Sequence, residues 1–243
     1  MSGLTRMLTG LNKVTLVSGH ITGTSHPCCE GMVGMQERAS RKRRMILEAA
    51  AETFEERGYA GTRLQDIIDR RGVSKGSLYF HFSSKEALAL AVVQECRDVW
   101  DALIVELREE HTRAMPMLIA LSRRLVCAFR SDSLMWAGVR LMVDRQLIGS
   151  SVDPRSAAWA GELADLLNEA RVQGDLKPDV DTGAVAGFMM AAFIGLQYAA
   201  NGDRKDLQRC VLAMWRTTLP GLVLPAKLDE LVPLLEPIDV AAR

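Results

Sequence analysis

Three short apolar-periodic segments, divided by Gly58 and Gly72, fill residues 40–82 and constrain the fold more than any other feature of the chain. Ile46, Leu47, Ala50 and Phe54 recur at helical spacing and lay one apolar stripe along the first segment. Gly58 stands where a helix commonly leaves through a left-handed residue. Thr62 is expected to cap the second helix, with Gln65 completing a capping box. Leu64, Ile67 and Ile68 supply its inward side, and Gly72 ends it. Ser74 is expected to cap a third helix running to about Phe82. Ser83 and Glu86 form another capping box, opening a fourth helix to about Glu110. The turn Arg71-Gly72-Val73-Ser74 is short and contains glycine, the pattern of a helix-turn-helix.

Further helices are expected at about 116–130, 133–148, 154–173, 182–201 and 204–219, with breaks at Pro116, Asp153-Pro154, Gly174 to Pro178 and Gly202. No strand-like alternation bounded by turn residues occurs, and there is no repeat. The fold class is therefore all-α: a three-helix helix-turn-helix domain at residues 35–83, a larger helical body at 84–224 and a tail at 225–243. Residues 1–34 lack sustained periodicity and read as a disordered arm; Met35 opens the segment with domain character and is a candidate translation start.

The net charge is zero, but it is unevenly spread. Residues 36–86 hold 11 Lys and Arg against 8 Asp and Glu, while residues 87–243 hold 17 against 21. A basic N-terminal part on an acidic body suits a protein that meets nucleic acid with one end. The cysteines (28, 29, 96, 127 and 210) form no spaced framework and read as reduced thiols of a cytoplasmic protein. His26 beside Cys28-Cys29 lacks a second ligand pair, so no metal and no cofactor are expected. The most apolar run, Ala184–Ala200, carries Gln197 and reads as a buried interface helix rather than a membrane span.

The third helix carries the sharpest chemistry. Lys75 and Tyr79 are four apart and share a side, with Gly76 and Phe80 in the adjacent row; Leu78 and Phe82 turn inward. A Lys can reach guanine acceptors in the major groove and an aromatic edge can touch a thymine methyl. The competing reading is a short surface helix whose Tyr and Phe pack on neighbours. Ser74, Ser77, Thr62, His81 and Lys85 are candidates for supporting contacts. Arg38, Arg41, Lys42, Arg43 and Arg44 precede this unit, and Arg41 and Arg44 are candidate backbone contacts.

Residues 46–92, ILEAAAETFEERGYAGTRLQDIIDRRGVSKGSLYFHFSSKEALALAV, resemble the DNA-binding region of TetR-family repressors. Within them GVSKGSLYFHFSSKEALALAV is similar to the gamma-butyrolactone receptors of antibiotic-producing bacteria. The resemblance implies that Lys75 and Tyr79 contact bases, that Thr62, His81 and Lys85 contact phosphates, and that Leu78 and Phe82 are core. It implies a homodimer, formed by the last two long helices, on the double-stranded DNA of a palindromic operator with half-sites about one helical turn apart.

The helices beyond residue 84 exceed what docking on DNA needs, so a ligand-binding and dimerisation domain is the economical reading. Trp159, in SAAWAGELADLL, is expected to bind a small hydrophobic signalling ligand: the resemblance implies a Trp at the start of this helix that donates to a lactone carbonyl. Leu163 and Leu166 continue its side. Trp136, Met142, Phe193 and Gln197 are further candidates for the lining, and Gly187, Ala191 and Gly195 would permit close helix approach. The resemblance implies a repressor of antibiotic or other secondary-metabolite genes, and not an enzyme. Three alternatives stay open: a repressor of an efflux or catabolic operon sensing a hydrophobic drug or metabolite, an all-helical enzyme, and a dimerising scaffold.

Overall fold

Gly58 takes φ 69° and ψ 172°, which no side-chain-bearing residue adopts cheaply, and here the first helix loses its regular winding. The computed structural model describes residues 27–70, 72–143, 154–199 and 204–236. The chain divides into two units, residues 1–40 and 41–243. In the first, the described part is helical from Pro27, within α1 (Pro27–Gly61). Residues 27–34, expected in a disordered arm, are helical: Pro27 suits a first helical turn, and no further proline follows in 28–34 to break it. Residues 1–26 lie outside the described residues.

In the second unit α1 continues into α2 (Leu64–Ile68), α3 (Lys75–His81) and α4 (Lys85–Glu110). Gly72, at φ 70°, makes the turn between α2 and α3. Ser74 caps α3 as expected, its hydroxyl accepting from Ser77 N at 3.1 Å. Two caps differ from expectation. Thr62 does not cap α2: its hydroxyl donates back to the Gly58 carbonyl at 2.7 Å, a local acceptor that competes with the cap. Arg63 takes the cap position, and the Asp66 carboxylate accepts from its N–H at 2.8 Å. Ser84 rather than Ser83 caps α4, accepting from Ala87 N at 3.0 Å.

The body holds α5 (Ala114–Ser131), α6 (Ser133–Val143), α7 (Pro154–Val172), α8 (Thr182–Ala199) and α9 (Arg204–Leu222). Where the ends are described, they lie within a few residues of those read from the breaks. Residues 225–235, read as tail, form α10 (Pro225–Leu231) and a short 3-10 turn (Val232–Leu235). Leu231 and Leu235 are buried in the body, and Arg123 and Arg216 donate to the carbonyls of Leu234 and Leu235. Leu228, Leu231, Val232 and Leu235 do recur at helical spacing, but Pro225 and Pro233 bracket a stretch too short for the repeat to stand out from a tail. The described residues contain no strand, only an isolated bridge between Leu176 and Val223.

Two apolar cores result, and two helices enter both. Leu88, Ala89 and Val92 of α4 pack with Ile46, Phe54, Ile67 and Leu78, while Cys96, Trp100 and Leu107 pack in the body. Leu134, Ala137 and Leu141 of α6 join the first core, and Met135, Trp136 and Val139 the second. The two helices touch at Gly138, where an added Cβ would stand 2.6 Å from the Cys96 Cβ. Motion of α4 or α6 is therefore felt in both cores.

Candidate nucleic-acid interface and effector cavity

Leu78 of α3 and Phe82, the residue that closes it, are buried against the α1 stripe, which turns the other side of α3 outward. On that side Phe80 is 81% and Tyr79 49% exposed. Rings this open contribute little to folding, so Phe80 in particular is available on this side. Lys75 and Gly76 are exposed beside them, and a Cβ built on Gly76 meets nothing within 4 Å. This chain's own fold therefore does not demand glycine there. Ser77 and His81 are half-buried, with His81 edge-on to Phe80 at 5.0 Å. Arg41 is exposed one helix away.

Three expected DNA contacts are placed differently. Thr62 is 1% exposed and its hydroxyl is spent on backbone carbonyls, so it has no route to a phosphate. Lys85 donates to the carbonyls of Tyr59 (2.9 Å) and Thr62 (3.0 Å), fastening α4 to the end of α1. Arg44 lies among Glu48, Glu95 and Asp132. Hydrogen bonding to Glu48 foremost, against a burial cost, holds its guanidinium above the ordinary value. Thr62 answers a carbonyl one turn back, whereas Lys85 and Arg44 also answer groups from distant segments that only the packed chain supplies.

In the body a small apolar cavity of about 60 Å³, open to one side, is walled by α4, α5, α6, α7, α8 and α9. Its rings are Trp100, Phe129, Trp159, Phe193 and Trp215. Met135, Met189, Met190 and Met214 fill between them, and Ser122 and Cys96 add small polar groups. The three indoles differ in one respect. Trp100 Nε1 donates to Glu162 at 2.8 Å, and Trp215 Nε1 donates to Ser122 at 2.8 Å. Trp159 Nε1 is buried and has no hydrogen-bond partner among the described residues. An unpaired buried N–H costs roughly 1–3 kcal/mol, so the site is primed for an acceptor.

Of the expected lining, Trp159 and Phe193 reach the cavity. Trp136 does not: it is turned into the core, edge-on to Phe129 at 6.0 Å. Met142 packs on the same core, away from the cavity wall. Gln197 is buried without a partner for its amide nitrogen among the described residues, and it too lies outside the wall. Trp100, Trp215 and the methionines were missed; they come from four helices, α4, α6, α8 and α9, and helical spacing says nothing of which helices meet.

The pattern of the tetR family of bacterial regulatory proteins matches residues 46–92, the helices that carry this exposed face. The A-factor receptor protein of Streptomyces griseus is 32% identical over 211 residues, covering 86% of this chain and 73% of that protein. The chain belongs to the TetR family. A solved gamma-butyrolactone receptor, described as ArpA-like, superposes with a TM-score of 0.72 at 28% identity, covering 82% of this chain and 96% of its own. CprB of Streptomyces coelicolor, solved with its operator sequence, does so with a TM-score of 0.72 at 27% identity over the same shares. This TetR-family chain is thus a transcriptional regulator close to gamma-butyrolactone receptors, all-helical with an N-terminal helix-turn-helix. Its relatives are regulators and receptors, not enzymes, which sets the enzyme reading aside. Among the described residues no helix is long and apolar enough to cross a membrane.

Proposed function

We infer that the chain is a cytoplasmic repressor that binds a palindromic operator as a dimer and leaves it on binding a gamma-butyrolactone-like signal, controlling antibiotic or other secondary-metabolite genes. The observation that carries the ligand half is the buried, unpartnered N–H of Trp159 in an apolar wall. Such a site favours a largely hydrocarbon molecule with a carbonyl to accept that hydrogen bond. Phe193 and Leu163 complete the wall around it.

For the DNA half, Lys75, Gly76, Tyr79 and Phe80 form the reading face, with Ser74, Ser77, His81 and Arg41 as supporting contacts. For the dimer, Ala184, Gly187, Phe188, Ala191 and Gly195 are exposed along one side of α8. A Cβ on Gly187 or Gly195 meets nothing within 4 Å, so the fold of one chain does not require their smallness. A second copy packed against α8 and α9 does require it.

Release is a population shift: ligand favours a spacing of recognition helices that misses one groove, and α4 connects the cavity to the DNA-binding core. A second reading, a sensor of hydrophobic drugs or metabolites, is favoured by the four methionines of the wall, which adapt to varied shapes.

Anisotropy of a labelled duplex from upstream of the chain's own gene tests both. Salt-sensitive binding reversed by a butyrolactone supports the first reading. Binding that is reversed only by unrelated drugs supports the second, and no binding sinks the operator assignment.

A further inference from the structure

Glu162 lies one turn after Trp159 on α7 and reaches across to α4. Its carboxylate accepts from the Trp100 indole at 2.8 Å and pairs with the Arg97 guanidinium. Arg97 also pairs with Asp101 at 2.8 Å. Both α4 groups held by Glu162 touch Trp159. The Trp100 and Trp159 rings stack at 5.3 Å between centres, 23° apart, and the Arg97 guanidinium stands 5.8 Å from the Trp159 ring centre. Farther along the same seam Arg108 meets Glu169 at 3.2 Å. The Arg97 side chain is 12% and the Glu162 side chain 36% exposed, so water screens the cation weakly and the pair is better defined than a surface one.

We propose that Glu162 is a positioning residue that fixes the stacked Trp100–Trp159 pair and passes a displacement of Trp159 to α4. This rests on the reading of Trp159 as the ligand donor. A ligand that draws on the Trp159 N–H shifts its ring against Trp100. Trp100 and Arg97 are anchored through Glu162 to the same turn of α7, so the shift reaches α4 rather than being lost in side-chain rotation. The first turns of α4 lie in the DNA-binding core, where the shift becomes a change in recognition-helix spacing.

The test uses the full chain as wild type, Glu162→Gln, Glu162→Leu and, as reference, Trp100→Phe. Circular dichroism reads the exciton couplet of the stacked indoles, and anisotropy reads operator release by a synthetic 2-acyl-gamma-butyrolactone. Leucine should abolish the couplet as Trp100→Phe does, keep helicity, and reduce release about tenfold. Glutamine, whose amide oxygen still accepts from Trp100, should keep the couplet and release partially. A Glu162→Leu protein that retains the couplet, or releases like wild type, overturns the proposal. If Glu162→Leu does not fold, Arg97→Gln carries the release test, with the same drop expected. If the lactone leaves wild-type binding unchanged, the ligand reading has failed, and the couplet alone decides the role of Glu162.

Discussion

Lys85 folds its ammonium over the ring of Tyr59, 4.3 Å from the centre, while donating to the Tyr59 carbonyl at 2.9 Å. The pair fastens the start of α4 to the end of α1 behind the recognition helix. Lys85→Met should therefore cost roughly 1–3 kcal/mol of stability through lost charged hydrogen bonds. Urea denaturation checks this; an unchanged midpoint would return Lys85 to the phosphate-contact role.

The exposed face of α3 and the paired Arg44 make opposite predictions. Lys75→Ala should cost roughly 1–3 kcal/mol of operator affinity. Arg44→Ala should leave the salt dependence of binding unchanged, because its charge is already answered by carboxylates. Anisotropy titrations at several salt concentrations separate the two, and a shallower salt slope for Arg44→Ala counts against its reassignment.

Trp159→Phe keeps an aromatic ring against Trp100 but removes the unpartnered N–H. It should leave stability and operator affinity nearly unchanged, since deleting an unsatisfied buried donor relieves a cost. Ligand release should be lost. A mutant that still lets go of DNA with ligand places the hydrogen bond elsewhere.

Gly138 permits the close approach of α6 to α4, with a Cβ at 2.6 Å from that of Cys96. Gly138→Ala should destabilise by roughly 1–3 kcal/mol despite the better helix propensity of alanine. Cys96→Ala should not rescue it, because the clash is with the Cβ. A thermal melt showing Gly138→Ala as stable as wild type refutes the contact.

Burial pushes the Cys96 thiol up to about 12. Above about pH 9 the unfolded thiol ionises while the folded one stays protonated, so the stability it contributes is complete below that pH and is lost as pH rises toward 12. In the native protein at pH 8, Cys96 should resist a thiol-labelling reagent, while half-buried Cys127 reacts faster. Peptide mapping after labelling checks the order, and early labelling of Cys96 would contradict its burial.

Much of the DNA-binding half was legible before any coordinate. The stripe Ile46, Leu47, Ala50 and Phe54, the glycines at 58 and 72, and the inward Leu78 and Phe82 are local signals, set by helical periodicity and backbone strain. The same logic exposed Lys75, Gly76, Tyr79 and Phe80, because a side opposite the core must face out. It misplaced Thr62, Arg44 and Lys85, whose polar groups answer neighbours 4 to 88 residues away.

The cavity depended far more on tertiary structure. Trp159 was marked by its place in the helix, yet its stacking on Trp100 and the hold of Glu162 on both α4 groups join residues about sixty apart. Trp136 and Trp159 look alike in sequence; one fills core and the other walls the cavity. Periodicity determined which side of each helix is apolar, whereas packing decided which apolar sides meet and which polar groups are left without a partner. That division follows from the range of the forces: backbone propensity acts within a turn or two, while burial and hydrogen-bond satisfaction are settled only when distant helices are in contact.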